Sequence, residues 1–183
     1  MSQPTGGGAI AWGVGQQSYN IKNLVGTPAE YRNNVKQQAL DFPYDDYVKG
    51  WDLVGVRDDL ENQYWVPCAS CMHPAFDKDY VTKHDFVVYS HKKFQLKIPG
   101  IPTLDHTEKS MDKVLEFLGS GKTILTSSFH GAYWGTLLGR KVLAFPFTSK
   151  FMTLKHPVGL YPHARWAIPQ IRLQPFKTTF VNK

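Results

Sequence analysis

The chain has no run of about eighteen consecutive apolar residues, so the sequence offers no candidate for a membrane-spanning helix. Residues 1–30 lack the basic and apolar blocks of a secretory signal, and a cytoplasmic protein is the expectation. Cysteine is scarce: Cys68 and Cys71 are the only two in 183 residues, too few for a disulfide framework. No internal repeat or low-complexity tract is present. Acidic residues are the minority, 15 against 21 Lys and Arg, and the net charge of +6 favours anionic ligands such as phosphorylated or carboxylated metabolites. The basic residues are scattered, with no recognition-helix pattern and no aromatic single-strand platform, so nucleic acid is not an expected partner. Apolar residues make up 42% of the chain and aromatics 14%, enough for a substantial core.

Two familiar nucleotide motifs are imitated but incomplete. Gly119-Ser-Gly-Lys-Thr123 has Glu116 where a P-loop needs its first glycine, and it follows a helix and precedes a strand, the reverse of the order that converges amides on phosphate. Gly13-Val-Gly15 is followed by Ser18 where a dinucleotide fingerprint needs its third glycine. Neither supports a cofactor, and none is expected. Cys68-Ala-Ser-Cys71 with His73 leaves three readings open: a zinc site completed by His73, His84 or His91, a redox pair, or two reduced thiols in a turn. Zinc needs two further ligands, and none stands at the usual spacing, so no metal is expected.

The most informative stretch is residues 123–146. Ile124 and Leu125 begin a short buried strand, and Thr126, Ser127 and Ser128 supply hydroxyls that can cap the next helix. That helix, expected over residues 131–138 with Trp134, Leu137 and Leu138 toward the sheet, stops at Gly139, and residues 141–145 resume as a strand. The unit predicts a βαβ crossover. It puts His130 and the backbone of Phe129 and Gly131 at a helix N-terminus beyond a strand's carboxyl end, where phosphates and carboxylates bind.

Elsewhere, residues 9–15, 53–56, 64–66 and 86–89 read as strands, residues 29–40 and 107–118 as helices, and residues 67–83 as a long loop. In the second helix Met111, Val114, Leu115 and Leu118 recur at helical spacing before Gly119. Alternation of strand and helix predicts one α/β domain over residues 1–183, a three-layer, Rossmann-like fold with a mostly parallel sheet. Its core is expected over residues 61–150, followed by a basic, proline-punctuated tail over residues 151–183. Arg57 at the end of one strand, and His91 with Lys92 and Lys93 behind another, share the edge that holds His130. A guanidinium, ammonium groups and an imidazole converging there suit an anion with a leaving phosphate, Arg57 gripping oxygens and His130 moving a proton. Asp58 and Asp59 are expected to be solvated or to hold Arg57.

These residues also carry a resemblance. Thr-Ser-Ser-Phe-His-Gly131, followed by Leu137-Leu-Gly-Arg-Lys-Val142, resembles the Thr-x-Ser-Phe-His-Gly signature of the polysaccharide pyruvyl transferase family. Leu53-Val-Gly-Val-Arg-Asp58 resembles its strand ending in Val-Arg-Asp or Val-Arg-Glu, and Gly6 to Gly15 resembles its glycine-rich segment. Order and spacing agree over residues 6–150. The resemblance implies two Rossmann-like domains similar to GT-B glycosyltransferases, this chain matching the C-terminal one, with residues 1–60 the end of the first domain and its linking helix. It implies phosphoenolpyruvate as donor, a glycan as acceptor and a role in exopolysaccharide biosynthesis. His130 and Arg57 would be catalytic, and Ser127, Ser128, Phe129, Gly131, His91 and Lys92 would bind substrate. Where the family often carries an aspartate after Val-Pro, this chain has Cys68. A nucleotide-sugar glycosyltransferase and a non-catalytic assembly domain are the rival readings. Most of the first domain is expected to be absent, leaving Trp12 and Tyr19 to be covered by self-association or a partner subunit.

Overall fold

The computed structural model describes residues 8–17, 43, 46, 48–61 and 63–161. Among them, β1 (Ile10–Val14) and β2 (Leu53–Val56) form a small parallel pair. A second sheet contains β3 (His84–Ser90), β4 (Thr103–Asp105), β5 (Gly121–Thr126), β6 (Lys141–Ala144) and β7 (Gly159–Leu160) in the order β4-β3-β5-β6-β7. Every neighbouring pair in it is parallel. Helix α1 (Met111–Gly119) links β4 to β5 and α2 (Phe129–Leu137) links β5 to β6. The fold is α/β, as the alternation predicts.

Parallel strands are buried on both faces and therefore read as near-continuous apolar runs. In β3, Val87 and Tyr89 join the core under the helices, while Val88 and Phe86 join a second core on the opposite face. Both helices pack on the first face, through Val114, Leu115 and Leu118 of α1 and Ala132 of α2. The opposite face, formed by Val88, Leu125 and Leu143, is covered among the described residues by Leu96, Ile98 and Ile101 of the β3–β4 connection, with Phe145 and Tyr161. That connection contains Pro99, Gly100 and Pro102, which exclude a helix there. The expected third, helical layer is therefore not what covers this face in the described residues.

Several element boundaries differ from the sequence expectation. Helix α1 starts at Met111 rather than at residue 107, because Asp105 accepts from the Thr107 amide (2.9 Å) in a turn and Ser110 then caps the helix, accepting from Lys113 N at 3.4 Å. The sheet-facing residues of α2 are Gly131, Ala132 and Gly135, whereas Leu137 is 43% exposed and Trp134 and Leu138 pack at the margin. Small residues are required: a Cβ on Gly135 would stand 2.7 Å from Ile124 Cδ1 and 2.8 Å from Val142 Cγ2. Residues 64–66 contribute a single bridge, Val56 to Trp65, and the loop over residues 67–83 contains two 3-10 turns, Ala69–Met72 and Pro74–Asp77. Strand β6 ends at Ala144. The tail supplies β7, and its residues from 162 onward, like the expected helix over residues 29–40 and Tyr19, lie outside the described residues.

The small sheet is joined to the large one just after β2. Asp58 is buried, not solvated: its Oδ1 accepts from Thr153 Oγ1 (2.7 Å) and its Oδ2 from the Gln16 amide (2.7 Å). Asp59 donates its amide to Thr153 O (2.9 Å), and its carboxylate pairs with Lys155 at 2.9 Å.

Candidate functional site

The parallel register brings the carboxyl ends of β4, β3 and β5 to one edge, pairing Ser90 with Asp105 and Tyr89 with Thr126. From β3 the chain steps outward to β4 on one side, while β5, β6 and β7 extend on the other. A reversal of this kind opens a crevice at the strand ends. Each of the three strands is followed by a histidine on this edge: His91, His106 and, one turn into α2, His130.

Of these three, His106 escapes sequence reasoning. It follows a three-residue strand whose one apolar residue, Leu104, gives no periodic signal. Its Nε2 shares a 2.5 Å hydrogen bond with Ser128 Oγ, and its ring lies 5.1 Å from that of His91, edge-on, and 5.2 Å from that of Tyr89. Ser128 also caps α2, accepting from Gly131 N at 3.2 Å. Ser127 donates to Phe94 O (2.6 Å) and accepts from His91 N (3.0 Å). Both serines are buried, so their hydroxyls hold His91 and His106 in place. Gly131 is buried where a Cβ would meet Thr126 and Tyr89, allowing the helix start to sit directly on the strands. Lys92 is exposed beside His91.

The His130 ring stacks on Trp134 with centroids 4.7 Å apart and meets Phe129 edge-on at 5.5 Å. Its Nε2 lies 3.8 Å from Cys68 Sγ. Burial, followed by the charges of Lys150 and Arg57, pushes its pKa down to about 4. Burial does the same to His106, aided by His91, His130 and Lys92 and opposed by Asp105, and brings it to about 4. His91 is lowered too, by burial and then by Lys92, Lys93 and Lys150. All three imidazoles are therefore poised to lose their protons in the unliganded site.

Arg57 reaches the site from the other sheet. Its guanidinium carbon lies 5.4 Å from the centre of the Phe129 ring, while Nη2 makes long contacts to Gly15 O (3.3 Å) and Gln16 O (3.4 Å). Its buried Nε has no hydrogen-bond partner and stands 4.0 Å from Asp58 Oδ1. Lys150, in the 3-10 turn after β6, is half-buried, and its pKa is lowered by burial and then by Arg57, against the opposing pull of Asp58. It is a second residue that sequence reasoning misses, since it belongs to no motif. The edge thus divides in two. His130 and Arg57 lie on one side, His91 and Lys92 on the other, His106 stands between, and Lys150 acts on both His130 and His91.

Beside this edge is a cavity of about 110 Å3 whose wall includes Arg57, Cys68, Cys71, Phe129 and Tyr133. Both cysteines are free thiols. Among the described residues, no group of three or more His, Cys, Asp or Glu is placed to hold a metal ion, and no helix is long and apolar enough to cross a membrane. No family model, curated protein or solved structure matches this chain.

Proposed function

We propose that this chain is a transferase of the pyruvyl transferase type, moving pyruvate from phosphoenolpyruvate to a glycan at the crevice formed by the ends of β3, β4 and β5. The observation that carries this reading is the gathering of His91, His106 and His130 with the cations Arg57 and Lys150 around the start of α2, where burial lowers the proton affinity of all three imidazoles. A dianionic phosphate would neutralise the local positive field and raise the proton affinity of His130, which then becomes a donor to the departing phosphate. Arg57 suits an acid oxygen, since its Nε, 4.0 Å from Asp58 Oδ1, has no hydrogen-bond partner. In the transfer, two acceptor hydroxyl oxygens bond to C2 of the donor as its bond to the phosphate oxygen breaks. One hydroxyl proton ends on C3, making a methyl group, and the other leaves with inorganic phosphate. Kinship of the sheet with a GT-B-like domain, and coverage of the small sheet by a partner or second copy, belong to the same proposal.

A nucleotide-sugar transferase is the second reading. It is favoured by one observation, the stacked pair Phe94 and Phe147, with centroids 3.9 Å apart and Phe147 4.9 Å from His91, an aromatic surface on which a base can lie. Thermal melting with each ligand separates the two. Phosphoenolpyruvate at a hundred times its Kd should raise Tm by roughly 5–10 °C, and His130→Ala should abolish the rise. A rise with a nucleotide sugar alone, lost in Phe94→Ala, supports the second reading. No rise with either ligand removes both.

A further inference from the structure

Neither donor reading uses the thiol of Cys68. Ser70 Oγ donates to its Sγ at 3.3 Å, and His130 Nε2 lies 3.8 Å from it. Both are held in place. Trp134 Nε1 donates to Ser70 Oγ at 2.9 Å, and the same indole stacks against the His130 ring, so one side chain orients both partners of the thiol. Cys68 is the extended residue that begins the 3-10 turn Ala69–Met72, and its carbonyl accepts from the Tyr133 hydroxyl (3.3 Å) and the Cys71 amide (3.0 Å). Cys71, three residues on, interacts with the Tyr133 hydroxyl, which also lies within electrostatic reach of Cys68. The two thiols of one turn share Tyr133, but Ser70 and His130 meet Cys68.

The cavity, lined by Cys68, gives the thiol something to act on, with His130 behind it at 3.8 Å. Cys68 and Arg57 share its wall with the apolar rings of Trp65 and Phe129. A volume of about 110 Å3 holds a group of a few heavy atoms, since a water occupies about 30 Å3 of liquid. Thiolates, not thiols, attack carbon, and a neighbouring imidazole that takes the proton is the usual means of making one.

We propose that Cys68 is a nucleophilic thiol, with His130 as its base, that forms a covalent bond with a small carbon electrophile bearing a carboxylate. The sulfur bonds to the electrophilic carbon as that carbon's bond to its leaving group breaks. The leaving group departs with the electron pair, the thiol proton passes to His130 Nε2, and the carboxylate faces Arg57. No oxidant or metal is involved. This chemistry is independent of the phosphoenolpyruvate reading, because the thiol can be assayed without donor or acceptor.

The test is alkylation of the intact folded protein by iodoacetate and, in parallel, iodoacetamide, with the label on Cys68 and Cys71 read by peptide mass spectrometry over time. Cys68 should react at least about tenfold faster than Cys71, and the preference for iodoacetate over iodoacetamide should be larger at Cys68. His130→Ala should slow Cys68 by about tenfold or more while leaving Cys71 unchanged. Should His130→Ala unfold the chain, both thiols will label fast, and Ser70→Ala then decides, since it removes the hydroxyl donated to the sulfur and should slow Cys68 alone. Equal labelling of the two thiols, or a Cys68 rate indifferent to both substitutions in folded protein, overturns the proposal.

Discussion

His130 illustrates how far a single residue could be read. A strand, three hydroxyl residues and a helix with a glycine stop placed it at a carboxyl edge, because each of those signals is local. The cause of its depressed pKa was not legible. Burial dominates, and the charges of Lys150 and Arg57 follow. Burial is a property of packing, and packing brings in residues from other elements. The same holds for Asp58, whose neighbours in sequence suggested solvent or a hold on Arg57: the ion pair with Arg57 is there at 4.0 Å, while its acceptor roles toward Gln16 and Thr153 depend on chain 42 and 95 positions away. His130 also sets a pH dependence. Its folded pKa of about 4 lies below the ordinary 6.5, so between those values the unfolded chain binds the extra proton. Stability should therefore fall as pH drops from 6.5 toward 4, by roughly 3 kcal/mol from this residue. Urea denaturation at pH 7 and pH 4.5 should show a smaller loss for His130→Gln than for the parent chain, and equal losses would remove His130 as the cause.

At the scale of elements, long periodic segments were legible and short ones were not. Met111, Val114, Leu115 and Leu118 announced α1, and its start was misjudged by four residues because Asp105 captures the preceding turn. Strands β4 and β7, of three and two residues, are too short to show alternation and exist through pairing with β3 and β6. The face of α2 was misjudged because bulk was taken to mark the buried side. Here closeness decides, and the helix lies on its glycines. Gly131→Ala should consequently destabilise the protein by about 1–3 kcal/mol, since the added methyl overpacks against Thr126 and Tyr89. An alanine variant with an unchanged denaturation midpoint would show that the helix can move away from the sheet without cost.

For the whole molecule, the parallel α/β plan followed from the order of strands and helices, but the position of the small sheet did not. Its link to the large sheet rests on Asp58, Asp59, Thr153 and Lys155, polar contacts that carry no periodic signature. The site is divided in the same way. His91 and His130 follow strands of one sheet, and Arg57 follows a strand of the other, so the convergence is a result of docking rather than of any one segment.

The unit β5, α2 and β6 is continuous in sequence, from Gly121 to Ala144, and β5 lies at the middle of the large sheet, paired with β3 and β6. Contacts within it close short loops, whereas β1 and β2 pair residues more than forty positions apart, Ile10 with Leu53 among them. Loop-closure entropy therefore favours forming the former early and the latter late. In kinetic terms, Ile124→Val in β5 should slow folding, with a φ-value of about 0.5–0.8, while Val56→Ala in β2 should chiefly speed unfolding, with a φ-value of about 0–0.3. Stopped-flow chevrons of the two variants would report the order directly, and a higher value for Val56 than for Ile124 would reverse it. On this order His130 takes its place before Arg57 does, and the arginine joins it only as the small sheet condenses.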